Sequence, residues 1–161
     1  MSVFARIVLW LWVISAGILL GGALYEGRVI LPLWAGAPPE SVMAWPYGTV
    51  QVSFFGVATP VYAVLSLGML VASLWMSGRM RTFALVAGAS GVVIGVWTFL
   101  FFVPILQQTQ ATRGAGLGPD EITRLTNQFV NWNYLRYAVL VTGWLAGLKA
   151  LSVSGPPERM S

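Results

Sequence analysis

The chain has no cysteine and no histidine. Disulfides, thiolate and iron–sulfur centres, Cys/His zinc sites and histidine-ligated haem are thereby excluded. Acidic residues are almost as scarce. Glu26, Glu40, Asp120, Glu121 and Glu158 are the only five in 161 positions, too few and too scattered for a carboxylate metal site. No cofactor is expected, so any chemistry runs without a protein-ligated transition metal. Charge of either sign is sparse, at 9% of residues against the ~25% of an ordinary soluble domain. The nine basic residues stand singly or as the one pair Arg79 and Arg81, never as a stripe. Nucleic acid, which needs clustered cations, is rejected as a partner.

What the chain has in excess is apolar surface, 57% of its residues. The length suits one domain, and a domain this small could not cover such a surface with polar groups. Its main solvent is therefore lipid. The hydrocarbon core is ~30 Å thick, so a helix needs about 20 apolar residues to cross it. Residues 7–25, 41–78 and 82–112 carry no charge, and a fourth apolar stretch contains Arg136 and ends at Lys149. The prediction is an all-α integral membrane four-helix bundle, a single domain over 1–161 with spans at about 5–27, 50–76, 82–106 and 129–151. Arg6 and the Gly21-Gly22-Ala23 run resemble parts of a signal peptide, but the apolar run exceeds a signal core and is expected to be a retained helix.

Basic residues near span ends set orientation. Arg6, Arg79, Arg81, Lys149 and Arg159 fall on one side; Arg28, Arg113, Arg124 and the embedded Arg136 fall on the other. Both termini are expected to be cytoplasmic, in a bacterial cytoplasmic membrane, with two long loops outside. The first, 32–48, holds Pro32, Pro38, Pro39 and Pro46 and is expected to be irregular, with Trp34, Trp45 and Tyr47 at the headgroups. In the second, a glycine-rich turn at 114–118 precedes Pro119-Asp120-Glu121, which reads as a helix start. A weak echo links Ile30-Leu31-Pro32-Leu33 with Phe102-Val103-Pro104-Ile105.

Small residues recur at spacings of three or four: Gly17 and Gly21; Gly68 and Ala72; Ala84, Gly88, Gly91, Gly95 and Thr98; Gly143 and Gly147. In lipid, such seams let helix backbones approach. Pro60, inside the second span, cannot donate to the carbonyl of Gly56, and a kink or opened turn is expected there.

Counted by depth, the polar residues gather in one outer layer: Glu26, Thr59, Tyr62, Gln107, Gln108, Asn131, Asn133 and Arg136. An ionisable group within a membrane marks a functional candidate, and Arg136 is the most embedded. The competing reading is a snorkelling arginine. Asn133 lies one turn from Arg136 on the same face. Glu26 is the only acid at this level, which predicts a Glu26–Arg136 pair; Arg28 is a competing partner. A pocket is expected between the first, second and fourth helices, lined by Tyr25, Glu26, Tyr62, Trp132, Asn133 and Arg136, with Pro60 shaping its wall.

The segments Ala16-Gly17, Gly21-Gly22-Ala23-Leu24-Tyr25-Glu26, Thr59-Pro60, Phe101-Phe102-Val103-Pro104 and Asn131-Trp132-Asn133-Tyr134-Leu135-Arg136 resemble the anthrone oxygenase-like family of small four-helix bacterial membrane proteins. Most bacterial members have no assigned function, and some fungal members are implicated in oxidising anthrones to anthraquinones. The absence of histidine here bars transfer of any histidine-dependent mechanism. The resemblance implies a cofactor-independent oxygenase-like enzyme acting on a lipophilic aromatic substrate. Glu26 would be the base, Arg136 and Asn133 would hold an oxyanion, and Tyr25, Tyr62 and Trp132 would contact the substrate. The alternative is a non-catalytic accessory or stabilising subunit of a larger membrane complex. The partners left open are a lipophilic small molecule, other membrane subunits or a second copy of the chain, all within the lipid bilayer.

Overall fold

The computed structural model describes residues 2–46 and 51–154. Tyr47, Gly48, Val50, Glu158 and Arg159 lie outside the described residues. The helices are α1 (Val3–Tyr25), α2 (Leu31–Ala35), α3 (Glu40–Ala44), α4 (Gln51–Ala72), α5 (Gly78–Trp97), α6 (Val103–Leu106) and α7 (Pro119–Ser152). Wide π turns at Glu26–Ile30, Thr98–Phe102 and Gln107–Ala111 join or extend them, and a 3₁₀ turn, Ser73–Trp75, closes α4. There is no strand among the described residues.

Through these turns the elements run on as longer rods. Val3–Ala35, Val52–Trp75 and Gly78–Ala111 are each long and apolar enough to cross a membrane. Their outward faces match: Ile14, Ile18, Val57, Val64, Leu67 and Val93 are all exposed and all apolar. The helix α7 is longer than its expected span of 129–151, beginning at Pro119 in its first turn. That early part is amphipathic. Ile122 and Leu125 are buried, while Asp120 and Arg124 face outward. There Arg124 grips Glu121 at 2.6 Å and holds its carboxyl below the usual carboxylate range. This polar stretch, and Arg136 further on, keep α7 out of the group of uniformly apolar rods.

The long rods touch in cyclic order, α1 against α4 and α7, and α5 against the same two. Glycines set the closest approaches. A Cβ at Gly91 would overlap the Ser66 hydroxyl of α4, and one at Gly143 would overlap Ser90 of α5. At Gly147 the ring of Trp12 occupies the space, whereas a Cβ at Gly21 would meet nothing within 4 Å from another element. The fully buried Trp12 donates its indole N–H to Ser66 Oγ at 2.9 Å, and Ser66 donates in turn to the Tyr62 carbonyl at 2.7 Å. The Trp12 N–H and the Ser66 hydroxyl are thus paired without water.

Two apolar cores are stacked along the rods. One, near the ends that carry the termini, contains Leu9, Trp12, Met69, Ala87 and Leu140. The other, beneath the long loops, contains Trp34, Val42, Phe102, Ile122 and Phe129. The first loop thus departs from the expected irregular, headgroup-bound segment. It contains α2 and α3, and Trp34 is buried edge-on against Phe129 at 5.2 Å instead of sitting at an interface. Burial of the Trp34 ring in this second core outweighs its preference for a headgroup position.

Candidate functional site

Between the two cores lies the layer of polar residues. Glu26 opens the π turn Glu26–Ile30, and Thr98 opens the π turn Thr98–Phe102. Both turns have one construction. The residue before a proline reaches five positions back: Leu31 N–H donates to the Glu26 carbonyl, and Val103 N–H to the Thr98 carbonyl. Pro32 and Pro104 follow directly. A proline ring clashes with the carbonyl four residues earlier, and widening the preceding turn relieves that crowding. The faint sequence echo around Pro32 and Pro104 is therefore one structural device used twice.

Glu26 and Arg136 meet across α1 and α7, with Arg136 Nη2 donating to Glu26 Oε2 at 3.2 Å. They are 4% and 9% exposed, so this is an internal pair and the snorkelling alternative is corrected. Snorkelling fails because the loop-end core sits over the guanidinium: its Cζ lies 4.4 Å from the centre of the Phe102 ring.

The pair forms one wall of a cavity of about 210 Å³. Phe55, Gly56, Thr59 and Pro60 of α4 form a second wall. Thr98, Phe99, Phe102, Val103 and Leu106, on the rod from α5 through α6, form the third, and Phe129 closes it. The lining is apolar but for Glu26, Arg136, Thr59 and Thr98. Thr98 lines this cavity, and its Oγ1 is buried without a hydrogen-bond partner. Val52, Gly56 and Phe99 are exposed, which places the mouth between α4 and α5 on a lipid-facing side. A dry cavity of about 150 Å³ takes up benzene, so this larger, open-sided space suits an aromatic ring system. Among the described residues no three acidic side chains gather to hold a metal ion.

The expected lining is only partly met. Glu26 and Arg136 are together, and Pro60 is on the wall. Tyr25 points outward, 58% exposed, beside a separate cleft between α1 and α4. Tyr62 is fully buried deeper in the molecule, tilted on Trp12 at 5.5 Å. Trp132 leans on Trp97 and Phe101 at the periphery, 41% exposed. Asn133 is buried near Arg136 yet donates to the Tyr137 hydroxyl at 2.6 Å, and it does not line the cavity. The reason is geometric: the cavity faces the third rod, whereas these four residues lie on sides that face other neighbours or lipid. The third rod's contribution was missed. Thr98 was visible in the sequence only as the end of a small-residue seam, and Phe102 only in the weak echo with Ile30-Leu31-Pro32-Leu33 and in one segment of the resemblance. The spacing of each from Pro104 was the available signal. Comparison with known proteins returns no match: no family model, no curated sequence and no solved structure aligns with this chain.

Proposed function

We propose that the protein is a four-helix transmembrane bundle, with both termini on the cytoplasmic side of a bacterial membrane, that binds a lipophilic aromatic molecule and carries out proton chemistry on it. The observation behind this reading is a buried carboxylate–guanidinium pair on the wall of a largely apolar cavity that opens on the apolar outer side. As the fourth span, α7 carries one internal charge, Arg136, and Glu26 neutralises it. Buried pairs of this kind give little net stability, so a purely structural role is a weak explanation.

The reaction that suits the site is oxygenation of an anthrone-like carbon acid. Glu26 removes a proton from the CH₂ flanked by the aromatic rings, and Arg136 holds the oxyanion that develops on the carbonyl. Thr98 takes the oxyanion-holding part that the sequence reading gave to Asn133. The carbanion carbon bonds to dioxygen, giving a hydroperoxide after protonation. Loss of water then leaves a carbonyl. Overall, CH₂ and O₂ become C=O and H₂O, a four-electron oxidation of carbon matched by reduction of dioxygen.

The test is an anthrone supplied to the protein in lipid nanodiscs, following anthraquinone absorbance and oxygen uptake. The rate should exceed that of protein-free nanodiscs, and Glu26→Gln should lower it about 100-fold or more, as loss of a general base does. A rate equal to the protein-free control, or one unchanged in Glu26→Gln, would refute the reading.

A further inference from the structure

The cavity does not end at Pro60. A second space, wholly apolar, is lined by Ala63 and Leu67 of α4 and by Val92, Val96 and Leu100 on the opposite rod, and it shares Phe99 with the first. On α4 the lining residues of both spaces run Val52, Gly56, Pro60, Ala63 and Leu67. These steps of three or four residues place them in one stripe along one helix face. The opposite stripe runs Val92, Val96, Phe99, Val103 and Leu106. The two spaces are thus consecutive stretches of one furrow between α4 and α5. Its polar groups sit only at the loop end, and from Pro60 to Leu67 it continues for about 10 Å.

Resting on the ligand site proposed above, we infer that the ligand is a ring-headed molecule with a flexible apolar chain, and that this chain lies in the furrow beside Leu67, Val96 and Leu100. A bare polycycle would use only the head cavity and leave the furrow to bulk lipid. The shape fits an amphiphile: the acidic or carbonyl-bearing ring at Glu26, Arg136 and Thr98, and the tail leaving along the membrane normal. Phe99, the residue common to both spaces, stands where ring and tail join. The separate cleft between α1 and α4 also touches Glu26, but it holds the exposed Tyr25 and does not follow the stripe. It is the competing exit.

The chain gains no hydrophobic energy from leaving lipid for the furrow, because both are apolar. Its position, and not its affinity, is therefore the decisive readout. The probes are 2-naphthol and a naphthol carrying a dodecyl chain with a diazirine near its middle, each with the full-length protein in nanodiscs. After photolysis, peptide mapping should place the label on Leu67, Val96 or Leu100, and excess 2-naphthol should suppress it by competing for the head cavity. Val96→Trp, at a lipid-facing position, should cut that labelling at least several-fold while 2-naphthol binding persists. Labels on Gly21, Tyr25 or Phe54 would overturn the chain's placement and leave the head site standing. So would labels spread over all lipid-facing helices and indifferent to 2-naphthol, with 2-naphthol itself still bound. Failure of 2-naphthol to bind, with no change on Arg136→Gln, would overturn both the head site and this inference.

Discussion

Removing one member of the Glu26–Arg136 pair should harm the protein more than removing both. The charges approach to 3.2 Å at nearly complete burial. With an effective dielectric near 20, Coulomb attraction at that distance amounts to about 5 kcal/mol. It offsets a desolvation cost of similar size, so the intact pair contributes little net stability. Arg136→Leu leaves the Glu26 carboxylate with its desolvation cost and without the Arg136 charge, and it also removes the cation lying over Phe102. Single removals of this kind cost ~3–5 kcal/mol. In the double variant Glu26→Gln, Arg136→Leu no charge remains to be solvated, and most of that loss should return. The measurement is an unfolding equilibrium in mixed micelles, followed by tryptophan fluorescence, on wild type, both single variants and the double. A coupling of several kcal/mol is expected from the cycle. If the single and double changes are equally tolerated, the pair is not a desolvated unit, and the electrostatic argument for the site falls with it.

Two further outcomes follow from the packing and the charge distribution. Reporter fusions at Ser161 and within residues 114–118 should give opposite signals for sidedness; equal signals would mean that α7 does not cross the membrane. Gly91→Val, which forces atoms into the Ser66 hydroxyl, should destabilise by about 1–3 kcal/mol, whereas Gly21→Val, with open space around it, should change stability little. A reversed order would mean that α1, and not α5, makes the closer helix contact at these positions.

The all-helical architecture and three of the rods were legible because charge-free runs of 19 residues or more have few other uses. The Glu26–Arg136 pair was legible for a related reason: one acid and one cation occupy the same depth, and a lone charge there is expensive. The wall opposite the pair was not legible. Depth can be counted along a sequence, but rotation about a helix axis cannot once the helix contains a turn of different width. Each π turn inserts a residue and swings everything beyond it by roughly 100° relative to a regular helix. Tyr25 and Glu26 sit at such a point, and adjacent residues there face lipid and core respectively. Trp34 shows the same limit from another side. Its proline-rich setting suggested an interfacial loop, while the apolar ends of α6 and α7 are covered by this segment.

The two prolines also explain why the polar residues converge without a polar helix face. Pro32 and Pro104 each lie six positions after the first residue of a π turn, and those first residues are Glu26 and Thr98. Both line the cavity, from different rods. The third proline, Pro60, has no N–H to donate to the Gly56 carbonyl, and both residues line the same space. Three places where a regular helix is disturbed thus border one cavity. Where regular helices pack through glycine, at Gly91, Gly143 and Gly147, the interior is filled by Ser66, Ser90 and Trp12. In a chain with so few polar residues, placing these disturbances at one depth gathers a carboxylate, a guanidinium and a hydroxyl while the rest of each helix stays apolar enough for lipid. The arrangement would also confine the proposed chemistry. A carbanion formed beside Glu26 would meet aromatic rings and a single cation, Arg136, with lipid-soluble dioxygen arriving by the same route as the substrate.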